Sequence, residues 1–84
     1  GMMRIGLILS LYDEFMSGGR IVREKFCKEN FISERTLYRY LNDIRDHLRR
    51  GKSGCVISYS KEDECYFLEE LPENGEIGED AVRG

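Results

Sequence analysis

Apolar positions early in the chain recur at helical spacing. Ile5, Ile8, Leu9, Tyr12, Phe15 and Met16 fall on one face of a segment from about Arg4 to Met16, the periodicity of an amphipathic helix. Leu7 and Leu11 lie off that stripe and are left for a later hairpin, the C-terminal stretch or a second subunit. Ser17-Gly18-Gly19 closes the helix, because glycine takes the left-handed cap most readily. A short second helix is expected from about Ile21 to Glu29, with Val22 and Phe26 four apart and Cys27 beside them. Asn30-Phe31-Ile32 breaks the pattern. Asn tolerates the left-handed conformation that a tight helix–helix turn needs.

The third helix carries the clearest pattern. Ser33 is a good N-cap and Glu34 suits the first turn. Leu37, Leu41, Ile44 and Leu48 follow at intervals of four, three and four, a narrow inward stripe. Opposite it stand Arg35, Arg39, Asn42, Asp46 and Arg50. Two arginines one turn apart therefore open the outer face, flanked by Thr36 and Tyr38. The helix should stop near Arg50-Gly51, with cations where the dipole favours them.

Beyond it the period changes from helix to strand. Val56-Ile57-Ser58-Tyr59-Ser60 alternates, Cys65-Tyr66-Phe67-Leu68 answers it, and Lys61-Glu62-Asp63-Glu64 makes the turn. With Glu62 and Asp63 at the tip, Tyr59 faces Tyr66 and Ile57 faces Leu68, a favourable cross-strand set. A lone hairpin is marginal in water, so this face should pack on the helices.

Charge divides the chain. Residues 1–61 hold 12 Lys or Arg against 7 Asp or Glu, whereas residues 62–84 hold 1 against 9, so a body of +5 precedes a stretch of −8. Such asymmetry points to a polyanionic partner or an interaction tail. After the only proline, residues 72–84 are expected to form an acidic tail or linker following a domain over residues 1–71. That tail is left open between an inert linker and a competitor that folds back over the basic helix face.

At 84 residues the chain makes one small domain. No apolar run reaches the roughly 18 residues of a membrane helix. No basic start followed by an apolar core marks a signal peptide, and Gly1 ahead of Met2 reads as a remnant of tag removal. The cytoplasm is the expected location. Cys27, Cys55 and Cys65 are an odd count without C-x-x-C spacing, and His47 is the only histidine. These residues offer no zinc-ligand spacing and are expected to be small buried thiols. No Ser/His/Asp or Cys/His arrangement and no phosphate-binding glycine motif appears, so neither catalysis nor a cofactor is expected.

The order of elements is helix, short helix, tight turn, longer helix, hairpin. That is a winged helix-turn-helix: mainly α with a small β hairpin, a three-helix core plus a wing. Ser33-Glu34-Arg35-Thr36-Leu37-Tyr38-Arg39 also matches the S-x-R-T-[IL]-x-R signature of the recognition helix in DeoR-like and WYL-type bacterial transcription regulators. Ile57, Tyr59, Tyr66 and Leu68 stand where that family has I-x-Y followed by Y-x-L. The chain resembles the family from about Arg4 to Leu68. It departs at Tyr40, where an acid is common, and at Phe31 behind Asn30, where glycine is usual. The family's C-terminal ligand-sensing domain has no counterpart in these 84 residues.

The resemblance implies sequence-specific binding of double-stranded DNA by a transcription regulator, often as a homodimer or larger assembly. An effector domain or partner protein would lie outside this chain. A recognition helix enters the major groove with its N-terminal residues toward the base edges. The expected contacts are Arg35 and Arg39, with Ser33, Thr36, Tyr38 and Asn42 beside them. Tyr38 and Tyr40 are open between packing and base reading. Arg20, Arg23 and Lys28 are candidates for phosphates from the second helix and its entry, and Lys52 and Lys61 from the helix exit and the hairpin tip. Glu62, Asp63 and Glu64 would repel phosphate, so the hairpin should touch DNA weakly or not at all. The rival reading is a winged helix used for protein contacts without DNA.

Overall fold

A computed structural model describes residues 2–71 of the chain. The acidic stretch 72–84 lies outside the described residues. Three helices and three strands follow in the order α1 (Met2–Met16), β1 (Ile21–Val22), α2 (Arg23–Asn30), α3 (Glu34–Arg50), β2 (Cys55–Ser60) and β3 (Cys65–Glu70). The strands form one antiparallel sheet with β3 in the middle, between β1 and β2.

β1 corrects the expectation of a helix starting at Ile21. Ile21 pairs with Tyr66 and Val22 with Cys65, and the Arg23 N–H continues the ladder to the Glu64 carbonyl at 3.1 Å. Two β-branched residues fit a strand better than a first helical turn. Helix α2 consequently begins at Arg23. Ile21 goes into the core, while Val22 faces outward instead of pairing with Phe26 on an inner helix face.

The hairpin has the expected register. Tyr59 lies opposite Tyr66 and Ile57 opposite Leu68. The two tyrosine rings pack at a tilt with centroids 4.8 Å apart. Leu71 closes the hairpin base by donating its N–H to the Gly54 carbonyl.

One cluster joins all layers: Leu11 and Phe15 from α1, Ile21 from β1, Cys27 from α2, the stripe Leu37, Leu41, Ile44 and Leu48 from α3, and Ile57 and Tyr66 from the sheet. Burying each large aliphatic side chain stabilises by about 1.5–3 kcal/mol. The α3 stripe is inward as its spacing requires, with every member at most 4% exposed.

Helix α1 sits differently from its expected face. Leu11 is fully buried, whereas Ile5, Leu9 and Met16 are each more than half exposed. The helix is apolar on nearly every side, so periodicity alone names no single inner face. Contacts with β1, β3 and α3 choose Leu11 and Phe15 for the centre, with Ile8 and Tyr12 packed beside them.

All three helices close the same way. In α1, Gly18 (φ 85°) donates its N–H to the Phe15 carbonyl at 3.0 Å and Gly19 donates to Glu14 at 2.9 Å, a Schellman cap with glycine at its left-handed position. In α2 the corresponding bonds are Phe31 to Lys28 at 3.4 Å and Ile32 to Cys27 at 3.1 Å. The left-handed residue is Phe31 (φ 55°, ψ 43°), not Asn30 as expected. Asn30 instead donates its side-chain amide to the Phe26 carbonyl at 2.9 Å. Helix α3 ends with Lys52 (φ 52°) in that place. For a residue with a Cβ, this conformation costs about 1–2 kcal/mol.

Candidate nucleic-acid interface

Ser33 builds the N-terminus of α3. Its hydroxyl oxygen accepts the Thr36 N–H at 3.1 Å and the hydroxyl donates to Thr36 Oγ1, also at 3.1 Å. Ser33 and Thr36, two of the side chains expected to approach DNA, are thus engaged in the helix cap, where Ser33 holds the Thr36 amide.

Arg35 and Arg39 follow on the outer face, both exposed. Among the described residues neither has an ion-pair partner. Asp43 stands four residues after Arg39, the spacing of an intrahelical pair. It is taken instead by Arg4 of α1, whose Nη2 lies 3.0 Å from Asp43 Oδ2. Arg4, Thr36, Arg39, Tyr40 and Asp43 line a shallow depression at this edge. Tyr40 packs partly against the core, while Tyr38 is about half exposed.

Farther along, α3 neutralises itself. Asp46 pairs with Arg49 at 2.7 Å and also with Arg50. Asn42 accepts a bond from Arg45 at 3.2 Å. Arg45 also donates to the Ile57 carbonyl at 3.3 Å and lies 5.8 Å from the centre of the Tyr38 ring. Arg45 therefore ties α3 to β2 and holds Tyr38 from one side. Positive charge free of partners is concentrated in the first two turns.

Arg23 has a role that its position in the sequence does not suggest. Its side chain is 32% exposed and lies within ion-pair distance of Glu34 (3.5 Å) and Glu64 (4.0 Å). Its guanidinium carbon stands 5.4 Å from the centre of the Tyr59 ring. Its Nε is buried without a hydrogen bond, with Glu34 Oε2 3.5 Å away. This arginine joins α2, the start of α3 and the hairpin turn. Arg20 is similarly occupied. It lies 3.4 Å from Asp63, donates to Cys65 Sγ at 3.3 Å and covers the Phe67 ring at 4.8 Å.

Lys28 and Lys61 are exposed and have no ion pair among the described residues. Lys52 shares that condition at the far end of α3, where with Arg45 and Arg49 it rims an apolar groove over Leu48, Val56 and Ile57. Three acids, Glu62, Asp63 and Glu64, occupy the turn between β2 and β3.

The thiols are separated. Cys27 and Cys65 are buried and Cys55 is partly so. Burial pushes the Cys27 thiol above its ordinary value, Glu34 adds to the push and Arg23 opposes it. Among the described residues no three His, Cys, Asp or Glu side chains gather as a metal site, and no helix is long and apolar enough to cross a membrane. No family model matches this chain, and no curated protein or solved structure matches it either.

Proposed function

We propose that this chain is a winged helix-turn-helix domain that binds duplex DNA sequence-specifically, as part of a transcription regulator, with α3 in the major groove. One observation carries the reading. Arg35 and Arg39 stand exposed on the first two turns of α3, without ion-pair partners among the described residues, and the carboxylate at pairing distance along the helix from Arg39, Asp43, is committed to Arg4. An arginine so placed makes bidentate bonds to guanine or holds a phosphate. The inner face of the same helix is closed by its leucine and isoleucine stripe, so the arginine face remains outward. A major groove is about 12 Å wide and admits one helix. The acidic hairpin turn is expected to stay clear of the phosphates, and Ser33 supports the reading by fixing the helix start.

A fluorescence-polarisation titration with mixed-sequence duplex at two salt concentrations tests this. Counterion release makes DNA affinity fall steeply with salt. Selection from random duplexes then yields the target. Binding absent even at low salt would overturn the reading. A second reading, a winged helix used for protein contacts, is favoured by the exposed Ile5, Leu9 and Met16 of α1. It predicts concentration-dependent association that is insensitive to salt.

A further inference from the structure

We propose that Phe31 is a DNA-contacting residue: an apolar anchor at the leading edge of α3, placed against a thymine methyl or a deoxyribose face beside the bases met by Arg35. The proposal rests on the DNA-binding reading above and adds a residue that polar and charged patterns do not reveal.

Two unfavourable features coincide at this side chain. Its backbone occupies the left-handed region at φ 55°, which is uncommon for any residue with a Cβ and a genuine outlier for a bulky one. Its ring is 94% exposed. The cap itself asks for neither feature, because the bonds from Phe31 to Lys28 and from Ile32 to Cys27 are made by backbone groups. Glycine fills the same position at the end of α1 without strain. The apolar contact that commonly accompanies such a cap is supplied by the next residue, Ile32, which packs against the core. Folded-state stability therefore gives no reason for a phenyl ring here. A strained backbone position is a reason to look for function.

Position and charge identify the occupant. Phe31 lies two residues before the Ser33 N-cap, within about 7 Å of it along the chain. The same end of α3 carries the oriented amides of its first turn and Arg35, which has no ion pair among the described residues, and Lys28 is one turn back on α2. Glu34 in that turn is held by Arg23 at 3.5 Å, so Arg35 and Lys28 remain to meet an anion at this helix N-terminus, a setting that suits phosphate. An apolar ring within that setting meets the apolar parts of the same polyanion. In the major groove the thymine C5-methyl is the group that accepts a phenylalanine, and the deoxyribose faces offer the other apolar surface.

The test uses the full chain and the duplex obtained by selection. Phe31→Gly and Phe31→Asn suit the left-handed backbone, so their melting temperatures should equal or exceed the parent's. Their affinity should nevertheless fall on the order of five- to tenfold, with Phe31→Leu losing less. The dependence of affinity on salt should stay unchanged for Phe31→Gly, whereas Lys28→Ala, which removes a phosphate contact, should lower the slope by about one. Replacing thymine by deoxyuridine at the edge of the site separates the two surfaces. Loss in the parent but none in Phe31→Gly assigns the methyl, and equal loss for Phe31→Gly on both duplexes assigns the sugar. If Phe31→Gly binds as the parent does while Arg35→Ala is weakened, the proposal is overturned and the DNA reading stands. If neither variant differs from the parent, both are overturned.

Discussion

Arg4 Nη2 lies 3.0 Å from Asp43 Oδ2, a contact between residues 39 apart in sequence. It removes the carboxylate that would otherwise neutralise Arg39 from one turn away. The first helix thereby governs the charge of the third without lying on its outer face.

Arg4→Ala should release Asp43 to pair with Arg39 and weaken DNA binding by about twofold, the scale of an exposed pair at this spacing. Adding Asp43→Asn in the same chain should recover the loss. Polarisation titrations of parent, single and double variants measure it. An affinity unaffected by Arg4→Ala would show that Asp43 does not compete for Arg39.

Removing the proposed readers has a larger effect. Arg35→Ala and Arg39→Ala should each cost about 1–3 kcal/mol of specific binding. Both side chains are exposed and have no ion pair among the described residues, so melting temperatures should change little. Parent-like affinity in both variants would remove α3 as the reading helix.

Core truncation should act in the opposite way, on the fold first. Leu41 is fully buried and Ile44 nearly so at the centre of the α3 stripe. Leu41→Ala or Ile44→Ala should cost about 2–5 kcal/mol, a large share of what a small domain holds. Denaturant unfolding followed by circular dichroism would reveal the shift. A midpoint equal to the parent's would contradict the packing.

Alkaline pH should loosen the domain. Burial pushes Cys27 above its ordinary 9.0 and Tyr66 above its ordinary 10.0, with Arg23 opposing both. Each group is neutral when protonated, and the folded state holds its proton to higher pH than the unfolded state does. Between the unfolded and folded values the folded state binds more protons, so stability falls as pH rises. Both contributions are fully present near pH 7. Urea midpoints measured from about pH 7 to 11 should decline above about 9. Tyr66→Phe should reduce the upper part of that decline, and a level profile would refute the linkage.

The α3 stripe and the hairpin register were legible from the sequence because both depend on local periodicity. Leu37, Leu41, Ile44 and Leu48 share a face in any helix of this sequence, and a turn at residues 61–64 brings Tyr59 opposite Tyr66. The cap at Ser33 was legible for the same reason, since its bond reaches only three residues. Other features required distant partners. Ile21-Val22 is a strand because β3 offers it a free edge at Cys65 and Tyr66, far along the chain, and Leu11 is central because the sheet and α3 close over that side of an apolar helix. Phe31 adopts the left-handed cap where Asn30 was the better local candidate, because Ile32 must turn into the core. Charge pairing was the least legible feature. Sequence spacing offered Arg39 to Asp43, and tertiary packing gave Asp43 to Arg4 and Arg23 to Glu34 and Glu64. Long flexible side chains pair with the nearest opposite charge in space, and only the folded chain determines which charge that is.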